Sequence, residues 1–257
     1  MPAPITPLCV ADDATFWPWR TWTDFARMTP AEKAATTILV PVAGFADWGL
    51  GHALDAEELV LMHVLKAAIA QKPANFSPLV IPPLRFVLGP DPACAFAVDP
   101  PTAHALLREV AKSIHDTGFR RMIFLNASPW NEELCAVASR DLRIEFGLQI
   151  FRINLGMIDL DFHPVRSKTR RNVQTLVTAL TGRAPDAQSP AALVPPAFWA
   201  DERIRPLPGP AVSVEAAADD GAVILSAAAS RVAGLFAEIA AHPPLANGGA
   251  LLPKTLP

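Results

Sequence analysis

Apolar and polar residues fall along this chain in blocks that switch between a strand period and a helix period. Thr36-Thr37-Ile38-Leu39-Val40-Pro41-Val42 is a short apolar, β-branched run, the pattern of a strand buried on both faces. Asp55-Ala56-Glu57-Glu58 comes next, an N-cap with an acidic residue three positions on, as in a capping box. The helix it opens carries Leu59, Leu61, Met62, Leu65 and Ile69 and is expected to run to about Ala70. Leu79-Val80-Ile81 reads as a second strand, stopped by Pro82-Pro83.

A second helix is expected from about Pro101 to Asp116, with Leu106, Leu107, Val110 and Ile114 at helical spacing and Thr117-Gly118 at its end. Arg121 to Asn126 is a third strand, Asn131 to Phe146 a third helix closed by Gly147, and Leu148 to Ile153 a fourth strand. This alternation predicts right-handed βαβ units: an α/β fold, a three-layer α-β-α sandwich with a mostly parallel sheet. Beyond Asn154 the rhythm weakens. Arg170 to Leu180 reads as a helix, Pro185 to Pro210 as loop, and Ala222 to Ala241 as a last helix striped by Ile224, Val232, Leu235, Phe236 and Ile239. No internal repeat is visible, so residues 1–242 are read as one domain and 243–257 as a proline-rich tail.

Composition narrows the function classes. Hydrophobic residues make up 51% and charged residues 18%, enough apolar material for a large core. No uninterrupted apolar run reaches the ~18 residues of a membrane span, and the first residues carry no signal pattern, so a cytoplasmic protein is expected. The net charge of -3 has no basic block behind it, so no nucleic-acid footprint is expected. Cys9, Cys94 and Cys135 form neither a metal pair nor a disulfide framework; Cys135, in an apolar helical pattern, reads as a core thiol.

In an open parallel sheet, ligands sit beyond the carboxyl ends of the strands. Three segments qualify: Gly44 to Asp55, Arg85 to Ala95, and Asn126 to Asn131. Here Trp22-Thr23-Asp24-Phe25, the strand ending Val40-Pro41-Val42-Ala43-Gly44, and the stretch from Val98 to Asn131 resemble the creatininase (creatinine amidohydrolase) family. The most specific part is Leu106-Leu107-Arg108-Glu109-Val110 followed by Gly118-Phe119-Arg120-Arg121-Met122-Ile123-Phe124-Leu125-Asn126. The resemblance covers roughly Trp22 to Ile153 and implies a two-metal amidohydrolase site. In the family, a segment like PVGSxEQHGPHLPLxTD supplies a Glu, a His and an Asp to the metals, NGHGGN another His, and HAGExETS acidic groups near the substrate. Such metals activate water and polarise an amide carbonyl.

This chain departs from that pattern. Ala46 occupies the metal-binding Glu position, Trp48 stands where the His should be, and Asp55 or Glu57 matches the Asp, depending on whether two residues are deleted. In Asn126-Ala127-Ser128-Pro129-Trp130-Asn131 the flanking asparagines survive and Ser128 replaces the His. No HAGExETS element is present. Methyl and indole groups cannot ligate a cation and a neutral serine is a poor zinc ligand, so family-type zinc or manganese is not expected to be retained.

The pocket candidates are Asp47, Trp48, His52, Asp55, Glu57, Asn126, Ser128, Trp130 and Asn131, with no catalytic residue assigned and no metal ligand named. A relocated metal site from Asp47, His52, Asp55 and Glu57 is set against surface and capping roles, the latter favoured. His63 reads as a satisfied boundary histidine, His104 and His115 as surface residues, and His163 as part of a turn-rich loop. Arg166, Lys168, Arg170 and Arg171 read as a solvated helix start rather than an anion grip.

The leading expectation is a non-catalytic structural or regulatory subunit, as a homo-oligomer or paired with an active creatininase-family relative. The alternatives are an amidohydrolase cutting an amide or cyclic amidine C–N bond with a rearranged site, and a small-molecule binding module that holds a planar ligand between Trp48 and Trp130.

Overall fold

The apolar run from Thr36 forms strand β1, Thr36–Ala43, and every residue in it is buried. Its side chains divide by parity, as a strand's must. Ile38, Val40 and Val42 enter one core and Leu39 and Ala43 the other. The computed structural model describes residues 15–46, 48, 51–88, 94–163, 168–185 and 218–243. The expected loop through Pro210 (from 186 on), most of the tail, Cys9, Asp47 and Arg166 lie outside the described residues.

Two short helices, α1 (Trp22–Arg27) and α2 (Pro30–Ala35), precede β1 and were not anticipated from hydrophobic period. Both are set by capping boxes: Thr21 with Asp24, and Thr29 with Glu32. After β1 come β2 (Phe45–Ala46), α3 (Ala56–Ala70), β3 (Ser77–Val80), β4 (Leu84–Arg85), β5 (Val87–Leu88), β6 (Cys94–Ala95) and β7 (Ala97–Val98). Then follow α4 (Pro100–Asp116), β8 (Arg121–Asn126), α5 (Glu132–Phe146), β9 (Gln149–Asn154), α6 (Arg170–Thr181) and α7 (Ala218–Ala241). The dipeptide strands β4 to β7 were not legible in a pattern that needs several residues to show its period.

The central sheet runs β3-β1-β8-β9, all parallel, with β4 pairing beyond β3 along β1. From β1 the chain steps to β3, returns past β1 to β8, and continues to β9. The direction of winding therefore reverses between β1 and β8, the place where such sheets open a crevice. Helices α4 and α5 pack together over one core, built on Phe119, Met122, Phe124 and Leu142. Helices α3, α6 and α7 pack together over the other, built on Leu61, Leu65, Ile123 and Phe236. The mixed α/β sandwich expected from the alternation is the one found.

Helix α3 is buried on most of its circumference because the sheet, α6 and α7 all touch it. Over Asp220–Ala241, helix α7 is long and apolar enough to span a bilayer by length and composition alone, although Arg231 and Glu238 interrupt its apolar run. In this fold its Val232, Phe236 and Ile239 are instead buried against α3 and α6, with Phe236 stacked on Phe76 at 4.5 Å. The α6–α7 contact leaves no room at Gly221, where an added Cβ would stand 2.2 Å from Ala179 Cβ. Gly221→Val is expected to lower unfolding stability in urea by about 2 kcal/mol through overpacking. An unchanged midpoint would mean that the two helices are not in contact in solution.

Candidate functional site

The crevice is built from the ends of β1 and β8 and the first turn of α3. Gly44 follows β1, and a side chain there would meet Val87 Cβ at 2.9 Å. Its N–H donates to Glu57 Oε2 at 2.6 Å. Glu57 is fully buried on the first turn of α3, so the loop from 44 to 57 begins and ends on one hydrogen bond. Ala46 N–H donates to Leu54 C=O at 3.1 Å and pinches the same loop.

From β8, Asn126 braces the opposing turn. Its amide donates to Ser128 C=O at 2.8 Å and to Asn154 Oδ1 at 3.2 Å, while its Oδ1 accepts from Ser128 N–H at 3.2 Å. Asn131 grips a different segment, donating to Phe86 C=O at 2.8 Å and accepting from Leu88 N–H at 3.1 Å. Both asparagines are buried and spent on backbone and, for Asn126, also on the Asn154 side chain, so their work is to hold the crevice's walls.

Burial pushes the Glu57 carboxyl up to about 7, opposed by the Gly44 N–H and by nearby Ser128 and Trp48. Ser128 and Trp48 ease its ionisation without reaching good hydrogen-bond geometry. Glu57 Oε1, Ser128 Oγ, Trp48 Nε1 and Trp130 Nε1 are all buried and unpartnered among the described residues. Trp48 is 2% exposed and stacks on the less buried Trp130, with ring centroids 6.1 Å apart and planes 24° apart. That is the spacing of a direct aromatic pair, so no flat ligand fits between the two rings as they stand.

Several candidates fall outside this cluster. His52 turns to α6, with Nε2 3.2 Å from Thr178 Oγ1, and burial lowers its pKa. Asp55 sits at the N-cap of α3 with φ −85° and ψ 11°, not the extended cap geometry, and its side chain makes no capping bond. The capping-box expectation is therefore corrected. Glu57 is committed to Gly44, and Glu58 takes a two-pronged ion pair from Arg85 at 2.6 and 2.8 Å. Of the relocated metal set, Glu57 alone reaches the Trp48–Ser128 cluster; Asp47 is not described.

The structure adds residues that sequence reasoning undervalued. Phe162 packs on Trp48 at 6.0 Å, and His163 packs on Trp130 at 5.1 Å, while the His163 N–H closes a turn on Asp161 Oδ1 at 2.9 Å. Arg170 is no solvated helix start: its guanidinium donates to the Trp48 carbonyl. The only sequence hint was its place in a cationic run. Other readings stand: His63 Nδ1 is satisfied by Leu59 C=O at 2.7 Å, and Cys135 is buried with its thiol pushed up to about 12.

A creatininase family model, described as creatinine amidohydrolase, matches residues 19–194, well over half of the chain. This chain belongs to the creatininase family. The match is longer than the stretch that carried the resemblance in sequence. A crystal structure of creatinine amidohydrolase superposes with TM-score 0.64 at 18% identity, covering 90% of this chain and 99% of that one. A putative creatinine amidohydrolase from Bacteroides fragilis NCTC 9343 gives TM-score 0.63 at 16% identity, covering 91% and 99%. The structure described as creatininase Mn gives 0.63 at 18%, covering 89% and 100%. At these identities the likeness speaks for the fold. No curated protein sequence matches the chain.

Of the two carboxyls the sequence left open, Glu57 is the one whose interactions reach Trp48 and Ser128. The residues present do not fit a pair of dications. The Ala46 methyl has no donor atom, and an indole N–H points a hydrogen where a metal needs a lone pair. Ser128 is neutral, and Glu57 has one oxygen tied to Gly44. Among the described residues no three His, Cys, Asp or Glu side chains group as a metal would need.

The carboxyl's raised pKa sets a pH dependence. The folded chain keeps a proton on Glu57 that the unfolded chain, at the ordinary value of 4.5, has released. The associated stability is full below about 4.5 and is lost as pH rises through about 7, on the order of 3 kcal/mol in all. Glu57→Gln keeps an acceptor for Gly44 and should flatten that loss in denaturation curves taken from about pH 5 to about pH 8. Asn131→Ala, which orphans Phe86 C=O and Leu88 N–H, should cost about 2–4 kcal/mol at either pH.

Proposed function

We propose that this creatininase-family chain is a non-catalytic member, serving as a structural or regulatory subunit in the cytoplasm, alone as an oligomer or beside an active relative. The observation that carries the reading is the content of the crevice. At the switch point of the sheet, where the resemblance implies metals and an activated water, the chain instead places a stacked indole pair and a carboxyl tied to Gly44. A carboxyl of this kind is neutral over much of the range in which a metal would need it ionised. The Arg170 contact to the Trp48 carbonyl holds the indole in place, so opening the crevice to a cation means breaking packing on both sides.

A second reading draws on the partial exposure of Trp130. A small planar molecule would then lie on the outer face of Trp130 rather than between the rings.

Metal analysis after incubation with zinc or manganese and desalting separates these from a working hydrolase. We expect far less than one metal per chain and no release of product from cyclic amidine or amide substrates. Two metals per chain with turnover would sink the proposal. Ligand quenching of tryptophan fluorescence that disappears in Trp130→Ala would favour the second reading.

A further inference from the structure

The bonding inside the crevice leaves four buried polar atoms without a hydrogen-bond partner among the described residues: Glu57 Oε1, Ser128 Oγ, Trp48 Nε1 and Trp130 Nε1. Glu57, Ser128 and Trp48 lie side by side, since both neighbours act on the Glu57 carboxyl. Trp130 stacks on Trp48 with its ring partly exposed and its N–H enclosed, so the N–H is the inward end. The chemistry of the four is lopsided. An indole N–H only donates, and the serine hydroxyl has one hydrogen to give. Glu57 Oε2 accepts the Gly44 N–H at 2.6 Å, so the neutral acid carries its hydrogen on Oε1 and becomes a fourth donor. Against these hydrogens stands one good acceptor, the Ser128 oxygen. A bridging water brings as many hydrogens as it accepts and leaves the excess unmet.

We infer that this crevice holds a small monovalent anion, a halide or formate, bound by Trp48 Nε1, Trp130 Nε1, Ser128 Oγ and the neutral Glu57 carboxyl. A metal centre needs lone pairs, whereas this one offers hydrogens, and enclosure strengthens each bond they make to an ion. The partly exposed Trp130 marks the side of entry. Ionised Glu57 is the internal rival: its Oε1 then accepts from Trp48 and Ser128, and its charge repels the anion. Binding to that form requires Oε1 to take one proton from solvent for each anion bound. Burial holds the carboxyl at about 7, so affinity is full below that pH and falls about tenfold per unit above it. The charged and titratable groups of the surrounding elements are otherwise engaged. Glu58 is paired with Arg85, His52 turns to Thr178, and the His163 ring packs on Trp130 while its N–H bonds Asp161. Arg170, on the Trp48 carbonyl, adds a cation that favours the anion. The inference deepens the reading of the crevice as one without metals, and it rests on that reading.

Chloride and formate, titrated separately into the full chain, test it. Tryptophan fluorescence and thermal unfolding are followed at about pH 6 and about pH 8, with ionic strength held by bulky methanesulfonate. At the lower pH at least one of the two anions should change both signals saturably, and its affinity should drop about tenfold at the higher pH. Glu57→Gln, always neutral and still a donor, should bind equally at both. Ser128→Ala should bind about tenfold more weakly at the lower pH. No saturable response to either anion, tighter binding at the higher pH, or a pH dependence that persists in Glu57→Gln would each overturn the assignment. Metal content is measured on the same samples. Metal uptake would sink the reading of the crevice and this inference together, whereas a metal-free chain indifferent to both anions would sink this inference alone.

Discussion

A carboxyl group with no solvent around it must be paired, hydrogen-bonded or neutral, and the crevice of this protein is organised around how Glu57 meets that constraint. One oxygen accepts the Gly44 N–H. The rest of the cost is met by protonation, which burial favours until close to neutral pH. This single bond closes the loop that leaves β1 onto the first turn of α3. It also requires glycine at 44, because Val87 occupies the space a side chain would need. The loop geometry, the position of Trp48 and the neutrality of the crevice are linked through it.

Aromatic packing completes what the carboxyl begins. Trp48 is enclosed by Trp130, Phe162 and the Arg170 guanidinium, which come from three different parts of the chain. A metal hydrolase needs donor side chains and an open coordination position for water or substrate in its site. Here aromatic rings wall the crevice, and unpartnered indole and hydroxyl groups lie near a carboxyl whose pKa burial raises to about 7. The two asparagines flanking Ser128 brace the walls through backbone contacts that need no metal. Their survival beside a substituted histidine position has a structural reason of its own.

The scaffold beneath the crevice is a doubly wound sheet whose two faces are sealed by separate helix layers. The close approach of α6 and α7 at Gly221 and the enclosure of α3 make one layer dense. The other layer, α4 with α5, is joined at its surface by the ion pairs between them.

By itself the sequence determined the elements with a long period: β1, α3, α4, β8, α5, β9, α6 and α7 all follow from apolar spacing and their terminating residues. Set against the family pattern it resembles, it also pointed to Ala46, Trp48 and Ser128 as the departures. The tertiary structure decided everything that depends on separate segments meeting. It buried Glu57 beside Gly44, Ser128 and Trp48, because position on a helix turn fixes which carboxyl faces inward and a count along the chain does not. It left Asp55 at the N-cap without a side-chain capping bond, turned His52 toward α6, and drew Arg170 across to Trp48. Local rules set period and capping, whereas burial, pKa and stacking arise between residues far apart in sequence. Short pieces such as β4 to β7 exist only because a neighbouring strand is there to bind them.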